Sequence, residues 1–153
     1  MRNKGFTLIE AIIVMAVLTI LAAVYIESSG NITNVSLDAA SKKAQMDVRF
    51  AQQLAQVTGT NHGVRFVANT SYTVYSGNVN NPVTDPVTRL PLIDNLSRYP
   101  GVQITTTYQV EFNPRGVPVT GGGGSTRFTA ASGAIRDINV AANTGAVELD
   151  STP

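Results

Sequence analysis

Between Ala11 and Val24 the only residue that is not apolar is Thr19. Counted from Phe6 to Ile26, this run is about the 20 residues a helix needs to cross a hydrocarbon core. It has no core of its own to enter, so it must end in lipid or against other helices. Arg2 and Lys4 precede it with no acid, Gly5 sits at the junction, and one carboxylate, Glu10, lies inside it.

A carboxylate at membrane depth costs about 2.5–3.5 kcal/mol on insertion scales, so it needs a partner. No Lys or Arg follows Glu10 within two helical turns, and Lys4 lies behind it on a different face. A chain cut between Gly5 and Phe6 supplies one, because the new α-amine of Phe6 lies one turn from Glu10. That amine can equally meet the Glu10 of a neighbouring copy, which would also set how two subunits stack.

A short basic leader, Gly5, then Phe6-Thr7-Leu8-Ile9-Glu10 and an aliphatic run resembles the class III signal of type IV pilins and type II secretion pseudopilins. The resemblance implies that a prepilin peptidase cuts after Gly5 and N-methylates Phe6, and that Glu10 guides assembly. The competing readings are a secretory signal peptide cleaved near Ala22 or Ala23, or a plain membrane anchor. A signal-peptide apolar region spans only about 7–15 residues, and neither alternative explains Gly5 or Glu10. Arg2 and Lys4 place the N-terminus in the cytoplasm by the positive-inside rule. Everything after Ile26 is then expected outside, giving a single-pass inner-membrane protein with a periplasmic domain that later enters a periplasmic or surface filament.

Losing Arg2 and Lys4 with the leader leaves 9 of the 11 Lys and Arg against 10 Asp and Glu. A near-neutral chain gives no electrostatic reason to expect nucleic acid. With no Cys there is neither a disulfide framework nor a thiolate metal site. His62, the single histidine, sits in Gly59-Thr60-Asn61-His62-Gly63 and reads as a solvated loop residue. No spacing of acids suggests a metal and no nucleophile has a base beside it, so the expectation is a non-enzyme with no cofactor, metal or small-molecule substrate.

The expected organisation is a leader at 1–5, a helix at 6–58 and a β-rich head at 59–153. Within the helix, 6–26 is the transmembrane or assembly segment and 31–58 the amphipathic part. Glu27-Ser28-Ser29-Gly30 suggests a bend or local break, since Ser pairs and Gly are weak helix points. Leu37, Ala40, Ala44, Val48, Ala51, Leu54 and Ala55 recur at three- and four-residue steps, marking one buried face. Asp38, Lys42, Lys43, Asp47, Arg49 and Gln52 mostly fall elsewhere, with Asp38 spaced to pair with Lys42 or Lys43.

Past Gly63 the period changes to two. Val64–Ala68 and Tyr72–Tyr75 read as a hairpin turning at Asn69-Thr70-Ser71. The stretch from Gly77 to Pro86 reads as a loop, and Leu90–Tyr99 as a short edge strand or turn. Val102–Thr107, Tyr108–Phe112, Arg127–Ala130, Ala134–Val140 and Ala146–Leu149 supply further strands. The run Gly121–Ser125 reads as a flexible loop, and Asn143-Thr144-Gly145 as the last turn. A long helix feeding an antiparallel sheet domain is an α+β plan. If unbroken, the helix would extend about 80 Å.

Phe50-Ala51-Gln52-Gln53-Leu54-Ala55, Val110-Glu111-Phe112-Asn113-Pro114-Arg115-Gly116 and a closing hairpin at Thr144-Gly145 look like the H-type minor pseudopilins and the related FimT-like minor pilins. The resemblance implies a structural subunit of a type II secretion pseudopilus or a type IV pilus. Its partners would be prepilin peptidase, other pilins or pseudopilins, and an inner-membrane assembly platform driven by a cytoplasmic ATPase. The alternative is a DNA-binding minor pilin serving DNA uptake, in which Arg-rich residues follow a C-terminal Gly. Here Gly145-Ala146-Val147-Glu148 offers an acid instead, which disfavours phosphate contacts.

Overall fold

In a computed structural model, helix α1 runs from Leu8 to Thr58. The structure describes residues 7–151, without the side chains of 24 and 26–31. Glu27-Ser28-Ser29-Gly30 remain α-helical, so the expected local break is absent. Weak helix formers cost about 1 kcal/mol or less each, and extending an existing helix is far easier than nucleating one. The chain divides between Ile32 and Thr33 into two compact units.

In the second unit, Leu37, Ala40, Ala44, Val48, Ala51 and Ala55 are fully buried, as their spacing predicts. Leu54 is only half-buried. The α1 helix ends at Thr58, where Gly59 turns into the left-handed region at φ 69°.

Strands follow in the order β1 (His62–Val67), β2 (Ser71–Ser76), β3 (Asn78–Pro82), β4 (Ile93–Asn95) and β5 (Val102–Ile104). Then come β6 (Tyr108–Phe112), β7 (Pro118–Thr120), β8 (Ser125–Ala130), β9 (Ile135–Val140) and β10 (Val147–Asp150). They form two antiparallel sheets. One has the order β3-β2-β1-β6-β7 with β4 also beside β2, and the other β10-β9-β8-β5.

Register aligns Val74, Val64 and Val110 across three strands, and Tyr72, Phe66 and Tyr108 in the next row. Phe66 meets Phe128 of the second sheet edge-on at 6.1 Å, which joins the two sheets in one core. Alanines on α1 let its backbone approach that core closely.

Several expectations are corrected. The stretch 77–86 contains β3, an edge strand that pairs with β2 across a bulge; Pro82 is tolerated at its end because an edge needs no further donor. The reading of Val102–Thr107 as one strand holds only to Ile104, after which the chain leaves the second sheet and enters the first at Tyr108. β7 was hidden by the Pro and Gly around it.

The glycine run at 121–124 is tied down rather than flexible. Gly123 N–H donates to Val140 O at 2.8 Å, Val140 N–H to Gly124 O at 3.1 Å, and the Tyr108 hydroxyl to Gly121 O at 2.6 Å. Gly121 adopts φ 73°, and a Cβ there would collide with the Gln109 carbonyl, so glycine serves close approach. His62 is no solvated loop residue: it lies on β1, 5% exposed, with Nδ1 3.1 Å from Thr60 O.

Asp47, placed by its spacing off the buried face, is also buried. Its Oδ2 accepts from the Tyr72 hydroxyl at 2.6 Å and from Lys43 Nζ at 2.7 Å. Lys43 therefore serves Asp47 rather than Asp38, whose Oδ1 instead accepts from Arg136 Nε at 2.9 Å. A long-range partner on a strand outcompetes a helix pair worth only about 0.2–0.5 kcal/mol.

Burial, with Asp47 and Asp94 close by, pushes the Tyr72 phenol far up. Burial is also the main reason Tyr75, Tyr99 and Tyr108 are raised to about 12. Folding thus favours the neutral phenols. The stability they contribute is fully present below their ordinary value of 10.0 and is lost as pH rises through about 12. Spectrophotometric titration should show phenolate absorbance from these three residues rising near pH 12, with the fold weakening over the same interval. Tyr72→Phe should lower stability by about 1–3 kcal/mol in denaturant unfolding, because the buried Asp47 carboxylate loses its short phenol hydrogen bond and keeps only Lys43 Nζ on that oxygen.

Candidate assembly segment

Helix α1 starts at Leu8 because Thr7 caps it. The Thr7 carbonyl accepts from the N–H groups of Glu10 at 3.1 Å and Ala11 at 3.2 Å, and Thr7 Oγ1 lies 3.4 Å from the Glu10 nitrogen. Thr7-Leu8-Ile9-Glu10 has the order of a capping box. That signal was present in the sequence, yet the residue pattern drew attention to Glu10 alone. Glu10 sits in the first turn, where a negative charge is favoured by the helix dipole.

Of the residues singled out in the sequence, Gly5 and Phe6 lie outside the described residues. Glu10 is described and exposed. Among the described residues no cation forms an ion pair with its carboxylate.

The surface beyond Glu10 is oily all round. Leu8, Ile9, Ile12, Ile13, Val14, Met15, Val17, Leu18, Ile20 and Leu21 are between 45% and 79% exposed. Covering one such side chain fully contributes about 1.5–3 kcal/mol. Soluble monomers rarely leave a contiguous apolar patch of more than a few hundred Å² open to water. Thr19 does not interrupt this surface, since its hydroxyl returns to the helix and donates to Ala16 O at 2.8 Å and Met15 O at 3.0 Å. No helix among the described residues is long and apolar enough to cross a membrane.

Residues 1–26 match the family model of the prokaryotic N-terminal methylation motif. This N-terminus is type IV pilin-like. The matched residues include Gly5, Phe6 and Glu10. No curated protein and no solved structure matches the chain.

On the head, much of the positive charge is engaged internally. Arg127 holds Asp137 through two bonds of 2.8 Å, Arg136 holds Asp38, and Arg49 Nη2 donates to Val147 O at 2.8 Å. Gln52 Nε2 ties α1 to two turns by donating to Gly116 O at 2.7 Å and Gly145 O at 3.2 Å. Gly145, at φ 68°, thus serves a packed corner, and a Cβ there would meet the Gly116 carbonyl at 2.5 Å. Glu148 is exposed on β10 beside this corner.

If the oily surface of residues 8–23 is what needs covering, removing 1–32 should leave a monomer in plain buffer. The full chain should require detergent, and light scattering coupled to size exclusion would distinguish the two.

Proposed function

We propose that this chain is a minor pilin or pseudopilin, a structural subunit of a type II secretion pseudopilus or a type IV pilus. The observation that carries this reading is a methylation motif leading directly into a helix whose large apolar side chains are exposed and carry one carboxylate.

In this reading prepilin peptidase cuts after Gly5 and methylates the amine of Phe6. Residues 6–26 hold the chain in the inner membrane as a single span, with the N-terminus cytoplasmic and the β-rich head periplasmic. The length and composition of the run in the sequence support the span. The assembly platform then moves the subunit from lipid into a bundle of neighbouring helices. Apolar contacts change little in that transfer, because lipid tails and aliphatic side chains are equally apolar. The charge pair between Glu10 and an N-terminal amine would therefore set register and select the assembled state. The H-type subclass remains part of the proposal, supported by the Gln52, Gly116 and Gly145 corner that joins the helix to the two sequence stretches carrying that resemblance.

The experiment is a Glu10→Ala chain expressed with its assembly machinery. It should insert, be cut after Gly5 and carry one methyl group on Phe6 by mass spectrometry, yet be at least tenfold depleted from sheared filaments. Undiminished assembly would remove the register role, and a retained Met1 in the wild type would remove the family reading.

A further inference from the structure

Within the second unit, α1 carries the charged side chains Asp38, Lys42, Lys43, Asp47 and Arg49. All but one are engaged within the head. Asp38 holds Arg136, Lys43 and Asp47 hold each other, and Arg49 Nη2 donates to Val147 O. Lys42 is exposed and forms no ion pair among the described residues.

Lys42 also stands in an apolar setting. Ala39, Lys42, Met46, Gln53 and Val57 follow at steps of three, four and seven, so they share one face of the helix. That face lies away from the buried Ala40, Ala44, Val48 and Ala51. Met46 is 60% and Val57 84% exposed. Gln45 and Arg49, which could have screened it, both donate to Val147 O instead.

The first unit carries the complementary charge. Glu10 is the only charged residue between Leu8 and Ile26, and it has no ion pair among the described residues. Steps of four, three and four put it on one exposed face with Val14, Val17 and Leu21. Lys42, Met46, Arg49 and Gln53 repeat the same steps. In parallel chains a free anion on the first half and a free cation on the second can meet only if one copy is shifted along the other. A shifted contact repeats head to tail into an open fibre rather than closing on itself.

We propose that the outward face of α1 in the head receives the apolar helix of a second copy, in the register that sets Glu10 level with Lys42 and Val14 level with Met46. Val17 then lies along the methylene stem of Arg49, whose guanidinium stays on Val147 O. A carboxylate has two oxygens, so Glu10 can hold Lys42 on one and a cut chain's amine on the other. Lys42 is a positioning residue that fixes where the next copy sits. The inference rests on the proposed fibre role and adds this register to it.

The test uses disulfide trapping in filaments from the chain expressed with its assembly machinery, since the chain has no cysteine of its own. The double variant Val14→Cys with Met46→Cys should give, on oxidation, a ladder of dimers and higher multimers. Val14→Cys with Val57→Cys, on the same face at the wrong height, should give no such ladder, and Met46→Cys alone should stay monomeric. Adding Lys42→Ala should lower the ladder yield about two- to fivefold, the range an exposed ion pair is worth, and Lys42→Arg should restore it. Cleavage after Gly5 and methylation of Phe6 should be unchanged in every variant. Filaments that contain the double variant without the ladder overturn the proposal alone. So does an equal ladder from the wrong-height pair, dimers from Met46→Cys alone, or a yield indifferent to Lys42→Ala. Replacing Met46 by a benzophenone amino acid that captures only a different subunit also overturns it and assigns the face to another pilin. A wild-type chain absent from filaments overturns the fibre role and this register with it.

Discussion

Among the described residues, the large apolar side chains from Leu8 to Leu21 are mostly exposed. Water is an unfavourable neighbour for so much hydrocarbon, and this constraint shapes what the rest of the molecule has to provide. The head folds around a core of its own, with no disulfide. Its solution is a single core in which the alanine face of α1 is buried together with inward rows from two sheets. Phe66 is the common point, with ring contacts to Tyr72, Tyr108 and Phe128.

Several polar groups on α1 serve as long-range ties. Asp38 holds Arg136 on β9, Asp47 holds Tyr72 on β2, and Gln52 holds the turns at Gly116 and Gly145. Each tie reaches a different part of the head, so the second half of the helix is fixed in both position and rotation. Partners of this kind are specific because a buried donor or acceptor left unpaired costs more than a formed bond gains. The same rule makes Asp94 conspicuous: one of its oxygens accepts from the Tyr99 hydroxyl at 3.2 Å and the other accepts no hydrogen bond.

Where sequence reading succeeded, the signal was local and periodic. The buried helix face, the end at Thr58, the first hairpin and the last turn all follow from steps of two or of three to four residues and from Gly or Asn at the corners. Where it failed, the deciding partner was distant in the chain. Asp47 looks like a surface acid until Tyr72 arrives from β2, and His62 looks like a loop residue until Thr60 and β1 enclose it. The stretch 77–86 has the composition of a loop and becomes β3 only because β2 offers an unpaired edge. Thr7 is a different case, a local capping signal that was legible and was overlooked.

By itself the sequence determined the character of the N-terminal third. The apolar run, Arg2 and Lys4 before it, Gly5 and Glu10 are properties of consecutive residues, and hydrophobic transfer and charge desolvation act on them whatever the head looks like. It also determined the α+β plan, because periodicity is written into neighbours along the chain. Only the tertiary structure decided which strands share a sheet, which acids and bases pair, and that a carboxylate at residue 94 is buried. Those outcomes depend on groups many residues apart being brought into contact, and on which competitor reaches a buried atom first.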